Sequence, residues 1–164
     1  MLKKLQIGDY SDSYQNPILI FLFLIYLFDT MKIRAHHLLC MQGFQGYGYS
    51  EDFTKNMAKV VKILQNFPKR KIEIIEGSDV ICACCPYDIN GTCQESQGSN
   101  EKIMSMDLKV LKKLEIPPGS VFEAEEIFNI INKKLKTHLD VKKICGDCRW
   151  SEKCLWFISK SKIN

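Results

Sequence analysis

The chain has 164 residues, 46% hydrophobic and 26% charged, with a formal net charge of +4. That length favours one domain with its own core, and the composition is ordinary for a soluble globular protein. Its 20 Lys stand against only three Arg (Arg34, Arg70, Arg149). Even the densest basic stretch, Lys133, Lys134, Lys136, Lys142 and Lys143, reads as a solvated surface and makes nucleic acid an unlikely partner.

The first feature along the chain is Ile18 to Phe28, "ILIFLFLIYLF", an apolar run behind Lys3 and Lys4. As a helix it would span roughly 16 Å against a hydrocarbon core of about 30 Å, so no transmembrane span is expected. It has the length of a signal-peptide core, but "FDTMKIRAHH" offers no small-x-small cleavage site after it. Residues 1–30 are therefore read as an upstream extension from a misplaced start, with a short apolar anchor as the alternative. Residues 31–164 are read as a single cytoplasmic domain opening at Met31.

From Ala35 to Met41 the pattern "AHHLLCM" predicts a short helix, broken by the glycines of "GFQGYGYS". That loop has the order G-x-x-G-x-G with no strand before it, so it reads as an aromatic-packed turn and not a dinucleotide fingerprint. Ser50 is placed to cap a helix that puts Phe53, Met57, Val60, Val61 and Leu64 on one face and ends at Pro68. "KIEII", Lys71 to Ile75, predicts a strand. A cysteine loop with an Asn90-Gly91 turn follows. Next comes a helix capped by Ser99 or Asn100, with Ile103, Met104, Leu108, Leu111 and Leu114 inward. Pro117, Pro118 and Gly119 stop it. A further helix over about Glu123 to Leu135 turns Ile127, Ile130, Ile131 and Leu135 inward, and a last one carries Leu155, Trp156, Phe157 and Ile158. The fold class predicted is mainly α with a small β element (α+β), one compact domain stapled by a cysteine-ligated metal centre.

Eight cysteines fall in two clusters, with Cys40 alone. Secreted disulfide scaffolds spread theirs as staples, so clustering favours metal or redox chemistry. "CGDCRWSEKC" sets Cys145, Cys148 and Cys154 at C-x2-C-x5-C, where a tight turn points the first two sulfurs at one centre. Zinc sites usually pair two such knuckles. Three ligands on one loop and a fourth from afar suit an iron–sulfur cluster, [4Fe-4S] first, with zinc as the alternative. The loop resembles the cluster loops of iron–sulfur nucleases of CRISPR adaptation and recombinational repair, a likeness of metal geometry and not of activity. For the fourth ligand Cys82 is preferred and Cys93 is next. Cys84 and Cys85 are adjacent and cannot comfortably point at one metal, although the spare thiols leave room for a second site. In "HHLLC", His36 and His37 each share a helical face with Cys40, which allows metal ligation, or one buried histidine beside a small core thiol.

"IRAHHLLCMQGFQGYGYSEDFTKNM", "DVICACCP" with "GTC", and "ICGDCRWSEKCLW" together resemble a small bacterial and archaeal family, domain of unknown function family 1284. Its members are commonly labelled iron–sulfur-binding proteins. The likeness covers about residues 32–157. It implies that His36, His37, Cys40, Cys82, Cys93, Cys145, Cys148 and Cys154 belong to the family pattern, and it speaks against Cys84 and Cys85 as essential ligands. No reaction comes with it. The function expected is iron–sulfur binding in a redox, sensing or structural role, with a redox protein as partner. The competing readings are a zinc-stapled module binding a macromolecule, and an enzyme with a pocket near His36 and His37. No radical-initiating C-x3-C-x2-C, Walker loop, G-x-S-x-G or HExxH supports the enzyme.

Overall fold

The computed structural model describes residues 30–146 and 148–162. The apolar run of residues 18–28, and the reading of residues 1–29 as an extension or anchor, lie outside the described residues. Among the described residues no helix is long and apolar enough to cross a membrane.

The first element is a strand absent from the sequence reading, β1 (Met31–Arg34), whose Met31 and Ile33 face inward. It runs parallel to β2 (Lys71–Ile75), with Ile33 opposite Ile74. A parallel pair needs a crossover, here made through helices α1 (His37–Gly43) and α2 (Glu51–Asn66). The predicted cap of α2 holds: Ser50 Oγ accepts the Phe53 N–H at 3.1 Å. Phe53, Met57, Val60 and Leu64 are buried as expected, while Val61 is half-buried.

After β2 comes a 3-10 turn over Cys82–Cys84, then the hairpin of β3 (Asp88–Ile89) and β4 (Thr92–Cys93). Asn90 and Gly91 make its two-residue turn, both at positive φ (52° and 79°), which this tight hairpin demands. Helix α3 spans Ser99–Leu114 and starts from Gly98 in the left-handed region, so neither Ser99 nor Asn100 is its cap. Its buried face also differs from the expected one. Met104 and Leu108 are 38% and 50% exposed, while Asp107 and Val110 are fully buried beside Leu111 and Leu114. A buried carboxylate sits where an apolar stripe was expected, for a reason that belongs to the site.

β5 (Ser120–Glu123) pairs antiparallel with the other side of β2, giving the sheet order β1-β2-β5. Helix α4 (Ala124–Lys134) lays the fully buried Ile127 and Ile131 on the core with Leu135 just beyond, while Ile130 is half-buried. Each such isoleucine contributes about 1.5–3 kcal/mol of burial. Helix α5 (His138–Cys145), also unanticipated, opens with a reciprocal capping box between Thr137 and Asp140. Thr137→Ala removes it and is expected to cost about 1 kcal/mol, read as a lower denaturation midpoint. Helix α6 (Leu155–Ser161) buries Trp156, whose Nε1–H donates to Asn132 Oδ1 at 2.9 Å, while Leu155 faces out. The α+β class is as expected: helices dominate, around a three-stranded sheet.

Candidate metal centre and its cavity

Backbone geometry brings Cys145, Cys148 and Cys154 together locally. Cys145 closes α5, and the Cys148 N–H donates back to the Cys145 carbonyl at 2.8 Å, tightening the C-x2-C knuckle. A 3-10 turn over Ser151–Lys153 then delivers Cys154 to the start of α6, where its Sγ accepts the Phe157 N–H at 3.5 Å.

The fourth thiol beside them is Cys40, in the middle of α1. Cys40, Cys145, Cys148 and Cys154 line one cavity of about 340 Å³. Negative charge on the triad is felt at Cys40, and charge on Cys154 at Cys145 and Cys148. Burial and then the charges of Cys145, Cys148 and Cys154 push the Cys40 thiol well above its ordinary range. Burial, Cys148 and Cys154 push Cys145 up to about 12, and burial raises Cys148, with Cys154 adding to the rise. A compensating cation would favour the thiolates of Cys40, Cys145 and Cys148.

Contact between α1 and α6 locks the fourth position. A Cβ on Gly43 would fall inside the van der Waals sphere of Cys154 Sγ and 3.0 Å from the Trp156 backbone nitrogen. Gly43→Ala must therefore push Cys154 away from Cys40. It is expected to cost about 1–3 kcal/mol and to lower metal content per chain, measured by elemental analysis.

Cys82 stands elsewhere. It is buried at the start of the 3-10 turn after β2, where it accepts from Arg34 Nη1 at 3.7 Å. Burial and the neighbouring Asp79 charge raise its pKa to about 11. Cys82, His37 and Asp79 are the one set among the described residues whose three ligand atoms lie within 4.8 Å of one another. The Asp79 oxygens are nevertheless saturated, accepting N–H bonds from Arg34, His37 Nδ1, Ile81 and Cys82, each at 2.9 Å. The Arg34 guanidinium, a fixed positive charge, lies alongside and opposes a dication. The set reads as an anchored hydrogen-bond network. Cys84 is exposed, and Cys85 and Cys93 are half-buried near the β3–β4 hairpin; none of the three lines the cavity.

Both histidines do line it, and each is held from behind. Asp107 accepts the His36 backbone N–H (2.9 Å) and His36 Nδ1 (2.8 Å) on one oxygen, and Arg34 Nε (3.0 Å) and Nη2 (2.7 Å) on the other. His37 Nδ1 meets Asp79. Burial, reinforced by the charge of His37, lowers the His36 pKa to about 4, so it is neutral at neutral pH. Burial alone would raise both carboxyls, but their histidine and Arg34 partners outweigh it and hold both below the usual carboxylate range. This explains the buried Asp107 on α3. Sequence reading missed Arg34, Asp79 and Asp107: Arg34 falls in the outward phase of "MKIR", opposite to Met31 and Ile33, so nothing local marks it as buried.

The cavity mouth is framed by Tyr49, edge-on to Trp150 at 5.7 Å, and by Arg149 paired to Glu95 at 2.7 Å. No curated protein and no solved structure matches the chain. A family model described as "Protein of unknown function (DUF1284)" matches residues 48–154, which include the C-x2-C-x5-C triad but not His36, His37 or Cys40. That match spans well over half of the sequence, and the chain belongs to this family.

Proposed function

We propose that the protein binds a [4Fe-4S] cluster through Cys40, Cys145, Cys148 and Cys154 and uses it as a redox centre. The observation that supports this most is the meeting of four half-buried thiols in one cavity, where the charges of Cys145, Cys148 and Cys154 reach Cys40. Spacing favours a cluster over zinc. With Zn–S near 2.3 Å, a tetrahedral site needs sulfurs about 3.8 Å apart. No three of these thiols share the 4.8 Å limit that Cys82, His37 and Asp79 meet among the described residues. A cubane holds its thiolates farther apart. When bound, the cluster would supply one-electron chemistry. The chain's part is to provide thiolates, the Phe157 N–H to sulfur, and aromatic walls that limit water, the levers that set a potential. The reading fits a reducing compartment such as the cytoplasm and a redox protein as partner. Electron paramagnetic resonance of anaerobically purified protein, before and after dithionite, tests it. A cluster signal that appears on reduction is expected, and a protein silent in both states with no visible absorption refutes the reading.

A further inference from the structure

The two histidines carry something the thiols do not need. Each donates Nδ1–H to a carboxylate buried to 0% side-chain exposure. An ionised carboxylate only accepts, so Nδ1 carries a proton in each ring, and a neutral ring then keeps its lone pair on Nε2. Neither Nε2 has a hydrogen-bond partner among the described residues, and neither is sealed from the cavity both rings line. The rings stand close, with centroids 4.5 Å apart. They sit at the head of α1, about one helical turn, roughly 5 Å along the axis, from Cys40. The cavity thus has a thiol end and an imidazole end.

A metal is a poor candidate for the imidazole end. His36, His37 and any third Cys, Asp or Glu do not form a set within 4.8 Å among the described residues. What remains is a pair of Nε2 atoms with no hydrogen-bond partner among the described residues, in a bay lined by Tyr49, Phe53 and Trp150. The electrostatics agree on the kind of donor. Two buried carboxylates, Asp79 and Asp107, stand behind the rings against the single Arg34 guanidinium, while the cations of the lining, Lys102, Lys153 and the Glu95-paired Arg149, are all at the exposed rim.

From this we infer that the imidazole end is a binding site for a small planar nitrogen base rich in N–H donors, an amidine, guanidine or amino-substituted heteroaromatic ring, held by Nε2 of His36 and His37 beside the thiols. The site goes beyond the cluster assignment, because the dyads stand whatever the thiols hold. Such sites, apolar with few aimed polar groups, are the usual form of small-molecule pockets.

Isothermal titration of the protein as isolated with benzamidine and with benzoate, planar isosteres that present donors and acceptors respectively, tests it. Benzamidine is expected to bind with about millimolar affinity or better, and at least about tenfold tighter than benzoate. His36→Asn and His37→Asn place an amide N–H where Nδ1–H was, keeping the bond to each aspartate while deleting Nε2. Each is expected to weaken benzamidine at least about fivefold with iron and sulfide content unchanged. That unchanged content separates failure of this site from failure of the cluster. Equal or tighter benzoate binding, no benzamidine binding, or wild-type affinity in both variants overturns the inference. Should a variant fail to fold, the comparison of the two probes on the wild-type protein still decides.

Discussion

Cys40→Ser is expected to strip most of the iron and sulfide from the protein, as Cys145→Ser and Cys148→Ser do, while Cys82→Ser leaves the content at the wild-type level. The contrast follows from position. Cys40 shares the cavity and the electrostatic field of the triad, whereas Cys82 is held by Arg34 and the Asp79 turn. Serine is close to isosteric but remains a poor soft-metal ligand. A metal held by these thiols would also join α1 to the α5–α6 loop across more than a hundred residues, so its loss should lower the unfolding midpoint. Cys82→Ser instead costs only stability, about 1 kcal/mol for a weak buried hydrogen bond. Equal metal loss in Cys40→Ser and Cys82→Ser would mean that the fourth ligand is not settled by the cavity.

Asp107→Asn is expected to destabilise the fold by about 3–5 kcal/mol, the cost of leaving a buried charge, here Arg34, without its partner. The asparagine keeps the shape, but its amide donor must face either Arg34 or His36, both donors already. pH gives a second readout. Asp79 and Asp107 have folded pKa values depressed below the unfolded carboxylate range of about 3.9. Their contribution is therefore present above that range and lost as pH falls through it towards the folded values. His36, lowered to about 4, adds a shallower loss that begins as pH falls below 6.5. Asp107→Asn should flatten the steep part of this acid limb below about pH 5, measured as denaturant midpoint against pH. A limb of unchanged slope would show that Asp107 is not ionised in the folded state.

Local rules made much of this molecule legible. The apolar stripe of α2 with its Ser50 cap, the β-branched run of β2 and the Asn90-Gly91 hairpin each follow from a short window of chain. β1 and β5 did not, because four-residue strands draw their stability from pairing with β2 and not from their own propensity. Helix α5 hid behind a run of lysines whose solvated face masked Val141 and Ile144. The face of α3 was misphased because the expected stripe followed the apolar Met104 and Leu108, while the pairing that buries Asp107 is 73 residues away on Arg34. The same limit governs the site. The C-x2-C-x5-C spacing is legible from ten residues, but which other thiol lies beside it in the cavity depends on tertiary packing. The predicted short helix did place Cys40 on one face with His36 and His37. What sequence could not supply was that the glycine three residues on, Gly43, lets α6 approach closely enough to put Cys154 beside that face.

Four cavity thiols, Cys40, Cys145, Cys148 and Cys154, are proposed to hold an iron–sulfur cube. Mössbauer spectroscopy combined with iron, sulfide and zinc analysis of anaerobically purified, iron-57-labelled protein tests it most directly. About four iron and four sulfide per chain are expected, with the spectrum of a delocalised cubane and little zinc. Stoichiometric zinc without iron or sulfide in protein prepared this way would contradict it.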